Sequence, residues 1–135
     1  MKKETSLRTL LLIFSLAFSM EAFSSNLEKV YLKELKQIEK IEKRGNNKLF
    51  SLMRNSSKEL SKNWSPELAN ELASVFNKLL DVNQNYFLVG ILDPVLKEKK
   101  AQFLPILNKN LSPKNQKLYQ KLRKMADREA SEGNG

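Results

Sequence analysis

The fold of this chain is decided by residues 64–82, whose sequence is WSPELANELASVFNKLLDV. Ser65 suits the N-cap of a helix, Pro66 suits its first turn, and Glu67 favours the positive end of the helix dipole. Apolar residues then recur at helical spacing in a wide stripe, formed by Leu68, Leu72, Val75, Phe76, Leu79 and Leu80. We therefore predict a helix here whose apolar stripe lies at the centre of the core.

The segment that follows is less easily assigned. Residues 86–92, YFLVGIL, are almost continuously apolar, and periodicity alone does not separate a strand from a buried helical turn. Because the chain offers no second strand candidate to pair with this one, we predict a helix or a buried connection.

Two helices are predicted upstream. Residues 26–44 are rich in Lys, Glu and Leu, and apolar residues recur there every three or four positions. Gly45 suits the C-terminal cap of this helix. Residues 47–62 predict a second, weaker helix, because the polar residues 55–57 dilute its apolar face.

Two further helices are predicted downstream. The pairs Asp93-Pro94 and Ser112-Pro113 repeat the pattern of a capping residue followed by proline. We expect Pro105 to break or kink the first of these helices. The apolar stripe of the second consists of Leu118, Leu122 and Met125, supported by Tyr119 and Ala126.

The predicted fold class is therefore all-α, a small bundle of four to five helices. We expect it to form a single domain over residues 25–130, and we expect residues 131–135 to be a disordered tail.

The N-terminus has the pattern of a targeting segment. A basic start at residues 2–8 is followed by a short apolar run at residues 10–18 and by the small residues of Ala22-Phe23-Ser24. This order is typical of a secretory signal peptide, and the apolar run is shorter than the roughly 20 residues that span a membrane. We predict a signal peptide over residues 1–24, cleavage after Ser24, and a periplasmic or secreted location. A buried N-terminal helix and an uncleaved anchor are the alternatives.

The composition excludes several kinds of active site. The chain contains no His and no Cys, so thiolate nucleophiles, cysteine-ligated zinc and the usual catalytic triads are absent. The serines that precede proline, Ser65 and Ser112, are explained as helix caps. No glycine-rich phosphate loop and no dense acidic loop occur. We predict a protein that is not an enzyme and that has no cofactor, no catalytic residue and no metal site.

Positive charge is concentrated near the C-terminus. The chain has 24 Lys and Arg against 15 Asp and Glu, for a net charge of +9. Residues 93–124 carry +7, whereas residues 58–92 carry −1. Four lysines share one side of the last predicted helix, namely Lys114, Lys117, Lys121 and Lys124. We predict that they bind an anionic partner, with a merely solvated face as the alternative. Because Lys greatly exceeds Arg, a specific nucleic-acid reader is not expected.

Two helix starts resemble motifs of a known family. Residues 64–68, WSPEL, and 111–115, LSPKN, resemble the repeated Leu-Thr-x-x-Gln motifs of the periplasmic Spy/CpxP-type stress chaperones. The resemblance extends to the signal peptide and the size. It implies a small, exported helical protein that binds unfolded clients on a concave surface. Leu68 and Asn115 stand where the family has Gln, so no functional residue is carried across.

The sequence as a whole predicts an exported, non-enzymatic binding protein of the bacterial envelope, either chaperone-like or an adaptor. Its partner would be a protein or an anionic envelope component, with peripheral membrane contact and no small-molecule cofactor. The alternative is a secreted effector or membrane-active protein, because a basic amphipathic helix can lie on anionic lipid. A carboxylate-dependent hydrolase is a third, weaker hypothesis.

Overall fold

A computed structural model describes residues 26–133 of the chain. This part is helical and contains no strand, which confirms the predicted all-α bundle. The elements are α1 (residues 26–36), α2 (Asn47–Lys62), α3 (Pro66–Val82), a 3₁₀-helix (Tyr86–Leu92), α4 (Asp93–Asn110) and α5 (Pro113–Gly133). Among the described residues, no helix is both long and apolar enough to cross a bilayer. The predicted signal peptide, residues 1–24, lies outside the described residues.

Helix α3 is the centre of the bundle, as predicted. All six residues of its apolar stripe are fully buried, and burial of a large apolar side chain contributes roughly 1.5–3 kcal/mol. The Ser65 hydroxyl accepts the Leu68 backbone N–H at 3.3 Å, which confirms the predicted cap. The same hydroxyl donates to the Glu28 carboxylate at 2.6 Å, so the start of α3 also binds α1.

Helix α1 is shorter than predicted. The sequence predicts a helix over residues 26–44, but the helix ends at residue 36. The reason lies in tertiary packing, since the irregular connection that follows brings Ile41 into the core and packs Ile38 against it. The Ile38 carbonyl accepts a hydrogen bond from the Lys78 ammonium of α3 at 3.3 Å. Contacts with α3 therefore override the helix propensity of the second half of this segment.

Gly45 ends this connection rather than α1. Its φ of 77° is in the left-handed region, which a residue without a Cβ adopts without strain. The chain turns there and enters α2 two residues later.

The polar residues in the middle of α2 form part of its buried face. Ser56 and Ser57 are both fully buried. The Ser56 hydroxyl donates to the Leu52 carbonyl at 2.8 Å, and the Ser57 hydroxyl accepts the Val95 backbone N–H of α4 at 3.2 Å. The polar residues predicted to dilute the apolar face are thus divided, since Asn55 is exposed whereas the two serines are buried and hydrogen-bonded within the bundle.

The apolar segment at residues 86–92 is helical, in agreement with the preferred interpretation. It forms a 3₁₀-helix with Asn85 as its N-cap, and the Asn85 side chain accepts the Phe87 backbone N–H at 3.3 Å. Four of its seven residues are buried, namely Leu88, Val89, Ile91 and Leu92. This tight helix explains the continuous apolar run, since buried residues occur on most of its circumference.

Helix α4 is interrupted at a different residue from the one predicted. Its residues are helical on both sides of Pro105, and the non-helical residue is Lys99, with φ −132° and ψ 34°. A proline crowds the carbonyl four residues before it, which here is that of Ala101. Lys99 lies two residues before Ala101, so crowding by Pro105 does not by itself explain the position of the kink.

Asp93 does not cap α4. It has helical φ and ψ, and Leu92 occupies the N-cap position without a side-chain hydrogen bond. The Asp93 carboxylate instead accepts a hydrogen bond from Arg123 of α5. The Val95 N–H in the first turn of α4 is satisfied from α2, by Ser57.

Helix α5 begins as predicted but extends further. The Ser112 hydroxyl accepts the Asn115 backbone N–H at 3.2 Å. Leu122 is buried, but Met125, predicted to belong to the same apolar stripe, is 41% exposed. The reason is that none of the other described elements covers the last turns of α5, where residues 127–133 are all exposed. The helix includes three of the five residues expected to form a tail.

A buried polar cluster joins α5 to α3. Asn115 is fully buried, and its amide nitrogen lies 2.8 Å from Asn77 Oδ1 and 2.9 Å from Asp81 Oδ1. Asn77 Oδ1 also accepts the Ser112 backbone N–H at 3.0 Å. These bonds orient the N-terminus of α5 on α3, and they set the direction in which its basic face points.

Candidate anion-binding surfaces of α4 and α5

The four lysines predicted to bind an anionic partner are all exposed on α5. They are spaced three, four and three residues apart, which places them on one side of a helix. The buried Leu122 and Asn115 belong to the opposite side. We call the exposed surface of Lys114, Lys117, Lys121 and Lys124 the basic face of α5.

The structure gathers three of these lysines around a shallow depression of about 370 Å³. Lys114 lies outside it, toward the start of α5. The depression is lined by Lys117, Gln120, Lys121, Lys124, Met125 and Arg128. None of its lining residues is acidic, and within residues 26–133 none of its cations forms an ion pair. The depression is therefore a surface of uncompensated positive charge.

Two residues of this depression were missed at the sequence level. Arg128 lies four residues after Lys124 and extends the same side of the helix by one turn. Its spacing was a sufficient signal, because the interval of four residues from Lys124 repeats the interval from Lys117 to Lys121. Met125 was assigned to the core, and its exposure places an apolar side chain among the cations.

A second concave surface lies between α4 and α5. Both helices pack on the 3₁₀-helix and on α3, but they make little direct contact with each other. The resulting cleft has a volume of about 490 Å³, and most of its wall is apolar. It is lined by Asp93, Leu96, Lys97, Lys100, Leu104, Tyr119 and Arg123. We call it the α4–α5 cleft.

Polar contacts hold the cleft at both ends. Near the turn between the helices, the Gln116 amide donates to the Asn108 carbonyl at 2.8 Å. At the other end, the Arg123 guanidinium donates to Asp93 at 2.7 Å, and it lies 3.6 Å from Asp127. Its hydrogen bond with Asp93 raises the pKa of Arg123.

Tyr119 joins the wall of the cleft to the core. Its ring packs edge-on against Phe76 of α3 with 6.0 Å between ring centroids. Burial raises the pKa of the Tyr119 hydroxyl, and the nearby Arg123 partly opposes this effect. The phenol is therefore neutral at physiological pH.

The serines that precede proline serve as helix caps, as predicted. The hydroxyls of Ser65 and Ser112 accept backbone N–H groups at helix starts. Within the described residues, no three acidic side chains come together in a group that would hold a metal ion.

The comparisons with known proteins leave the chain without an assigned relative. No protein-family model, no curated protein and no solved structure matches it. The resemblance to the Spy/CpxP-type chaperones stays a prediction.

Proposed function

We propose that this protein is a non-enzymatic binding protein, exported to the bacterial envelope, that docks on an anionic envelope component through the basic face of α5. The observation that carries the proposal is the depression on α5, where Lys117, Lys121, Lys124 and Arg128 lie together without a carboxylate among them. Export is supported by the pattern of residues 1–24.

The electrostatics of this face favour an anionic partner. Like charges at helical neighbours destabilise a helix by a few tenths of a kcal/mol per pair, and an anion nearby removes that cost. Each exposed contact contributes only about 0.2–1 kcal/mol, so binding requires several contacts at once. A surface with many anions, such as a lipid bilayer or an acidic polymer, satisfies this requirement.

One observation favours a lipid membrane over an acidic polymer as the partner. Met125 is 41% exposed and lines the same depression as the lysines. An apolar side chain beside cations suits the boundary between headgroups and acyl chains. On an acidic polymer, Met125 would contribute little.

The test replaces Lys114, Lys117, Lys121 and Lys124 together with Gln, which keeps helix propensity and removes four charges. Sedimentation with phosphatidylglycerol vesicles is measured at 0.1 M and 1 M salt, and acidic cell-wall polymer is tested in parallel. We expect the unchanged protein to bind at low salt only, because the screening length falls from about 10 Å to about 3 Å. The Gln variant should bind poorly at both salt concentrations.

The matched control removes the same number of charges elsewhere. Lys29, Lys33, Lys36 and Lys40 are also exposed, and their replacement by Gln leaves α5 unchanged. If both fourfold variants lose binding equally, attraction depends on net charge alone and the basic face has no special role. Binding of the α5 variant at the level of the unchanged protein would also refute the proposal. A Met125→Ser variant that loses binding to vesicles but not to polymer would identify the membrane as the partner.

A further inference from the structure

The α4–α5 cleft combines an apolar wall with two lysines that are unpaired within the described part of the chain. Leu96, Leu104 and Tyr119 supply apolar surface. Lys97 and Lys100 line the same cleft, and neither forms an ion pair with any residue in the range 26–133.

The third cation of the cleft has a structural role. Arg123 lies 2.7 Å from the Asp93 carboxylate and 3.6 Å from that of Asp127. Its charge is therefore compensated, and the pair holds α5 against the start of α4. This leaves the two lysines as the uncompensated charge of the cleft.

The volume and openness to solvent suit a small ligand. About 490 Å³ lies within the range of roughly 300–1,000 Å³ that is typical of ligand pockets. Because polar contacts join α4 and α5 only at the two ends of the cleft, the apolar wall between them is left uncovered by residues 26–133. A ligand that fits has an elongated apolar body and a negative group at one point.

We propose that the α4–α5 cleft binds a single-chain anionic amphiphile, a fatty-acid anion in its simplest form. Its acyl chain lies against Leu96, Leu104 and Tyr119, and its carboxylate is bound by Lys97 and Lys100. The proposal does not depend on the basic face of α5. Tyr119 and Arg123 lie two residues from Lys117 and Lys121, and residues two apart on a helix do not share a face.

Titration calorimetry on the purified exported protein tests the proposal, with decanoate and dodecanoate as ligands below their micellar concentrations. Acetate supplies the head without the chain, and dodecyltrimethylammonium supplies the chain with the opposite charge. We expect dodecanoate to bind about tenfold more tightly than decanoate, because two further methylene groups are buried. Acetate and the cationic amphiphile should show no saturable binding.

Two variants locate the site. Lys97→Gln with Lys100→Gln should weaken dodecanoate binding roughly three- to tenfold, as expected for the loss of two exposed charge contacts. The fourfold Gln variant of the basic face should bind dodecanoate like the unchanged protein. The chemical shifts of Leu96, Leu104 and Tyr119 should move on addition of dodecanoate, which reports the location even if affinity is weak.

Several results would overturn the proposal. Equal binding of the anionic and cationic amphiphiles would indicate nonspecific adsorption of the chain. Unchanged affinity in the Lys97/Lys100 variant, or chemical-shift changes confined to other helices, would place the ligand elsewhere.

The two proposals can fail independently of each other. If the basic-face variant loses vesicle binding but still binds dodecanoate, the cleft is separate from the proposed docking surface.

Discussion

Helices α3 and α5 begin with the same local sequence signal, but one is largely buried and the other is largely exposed. Each starts with a Ser-Pro pair whose serine hydroxyl accepts a backbone N–H three residues later. Helix α3 buries eight of its seventeen residues, whereas α5 buries two of twenty-one. The comparison shows that the cap determines where a helix begins, and the residues that follow determine which helix becomes the core and which becomes a binding surface.

The largest expected effect tests whether stability resides in α3 rather than α5. Phe76 is fully buried and Met125 is 41% exposed. We expect Phe76→Ala to reduce the free energy of unfolding by about 3–5 kcal/mol, because it leaves a cavity. Met125→Ala should change it by less than about 0.5 kcal/mol. Denaturant melts of both variants measure this, and similar losses in the two would contradict the assignment of the core.

A smaller effect is expected where α5 is bound to α3. Asn115→Ala removes the hydrogen bonds from a fully buried side chain to the half-buried Asn77 and to the exposed Asp81. We expect a loss of about 1–3 kcal/mol in the free energy of unfolding. A neutral result would mean that the cluster does not hold α5. In that case the lost hydrogen bonds would be offset by removal of Asn115 Oδ1, which is buried and has no hydrogen-bond partner among the described residues.

The two caps provide the next comparison. Ser65→Ala and Ser112→Ala should each destabilise the protein by about 1 kcal/mol, because each removes the acceptor for one helix-start N–H. The loss at Ser65 should be larger, since its hydroxyl also donates to Glu28. Glu28→Ala, measured in the same denaturant melts, should account for the difference. If Ser112→Ala proves the more costly of the two, the contact between Ser65 and Glu28 does not contribute.

The smallest expected effect concerns Tyr119 of α5, whose ring packs against Phe76 of α3. Burial raises its pKa above the usual value near 10 in the folded protein. The unfolded chain therefore ionises first, so this contribution to stability is complete below pH 10 and is lost as pH rises toward the folded pKa.

Tyr119→Phe should accordingly show a shallower loss of stability above pH 10 than the unchanged protein. Thermal melts between pH 8 and pH 11 measure the difference between the two slopes. Every other ionisable group is the same in both proteins, so its contribution cancels in this comparison. Parallel slopes would show that Tyr119 has the same pKa in the folded and unfolded chains.

Much of the fold followed from short-range patterns, and the errors occurred where distant contacts intervened. The caps at Ser65 and Ser112 depend on atoms three residues away, and they were predicted. The early end of α1 depends on Lys78, which lies forty residues from Ile38. The role of Ser57 depends on Val95, thirty-eight residues away.

The candidate sites show the same division. The spacing of the basic face was visible in the sequence because it lies on one helix, although the exposure of Met125 was not. The α4–α5 cleft could not be predicted, because it depends on two helices that both pack on α3 and the 3₁₀-helix while making little contact with each other.

The sequence by itself determined the helical class, the starts of α3 and α5, the apolar stripe of α3 and the lysine spacing on α5. These features follow from interactions within one or two helical turns. Only the tertiary structure decided where α1 ends, that Asp93 binds Arg123 instead of capping α4, and that Ser57 of α2 is buried against α4. Each of these depends on a partner thirty or more residues away, and such a contact forms only when the whole bundle packs.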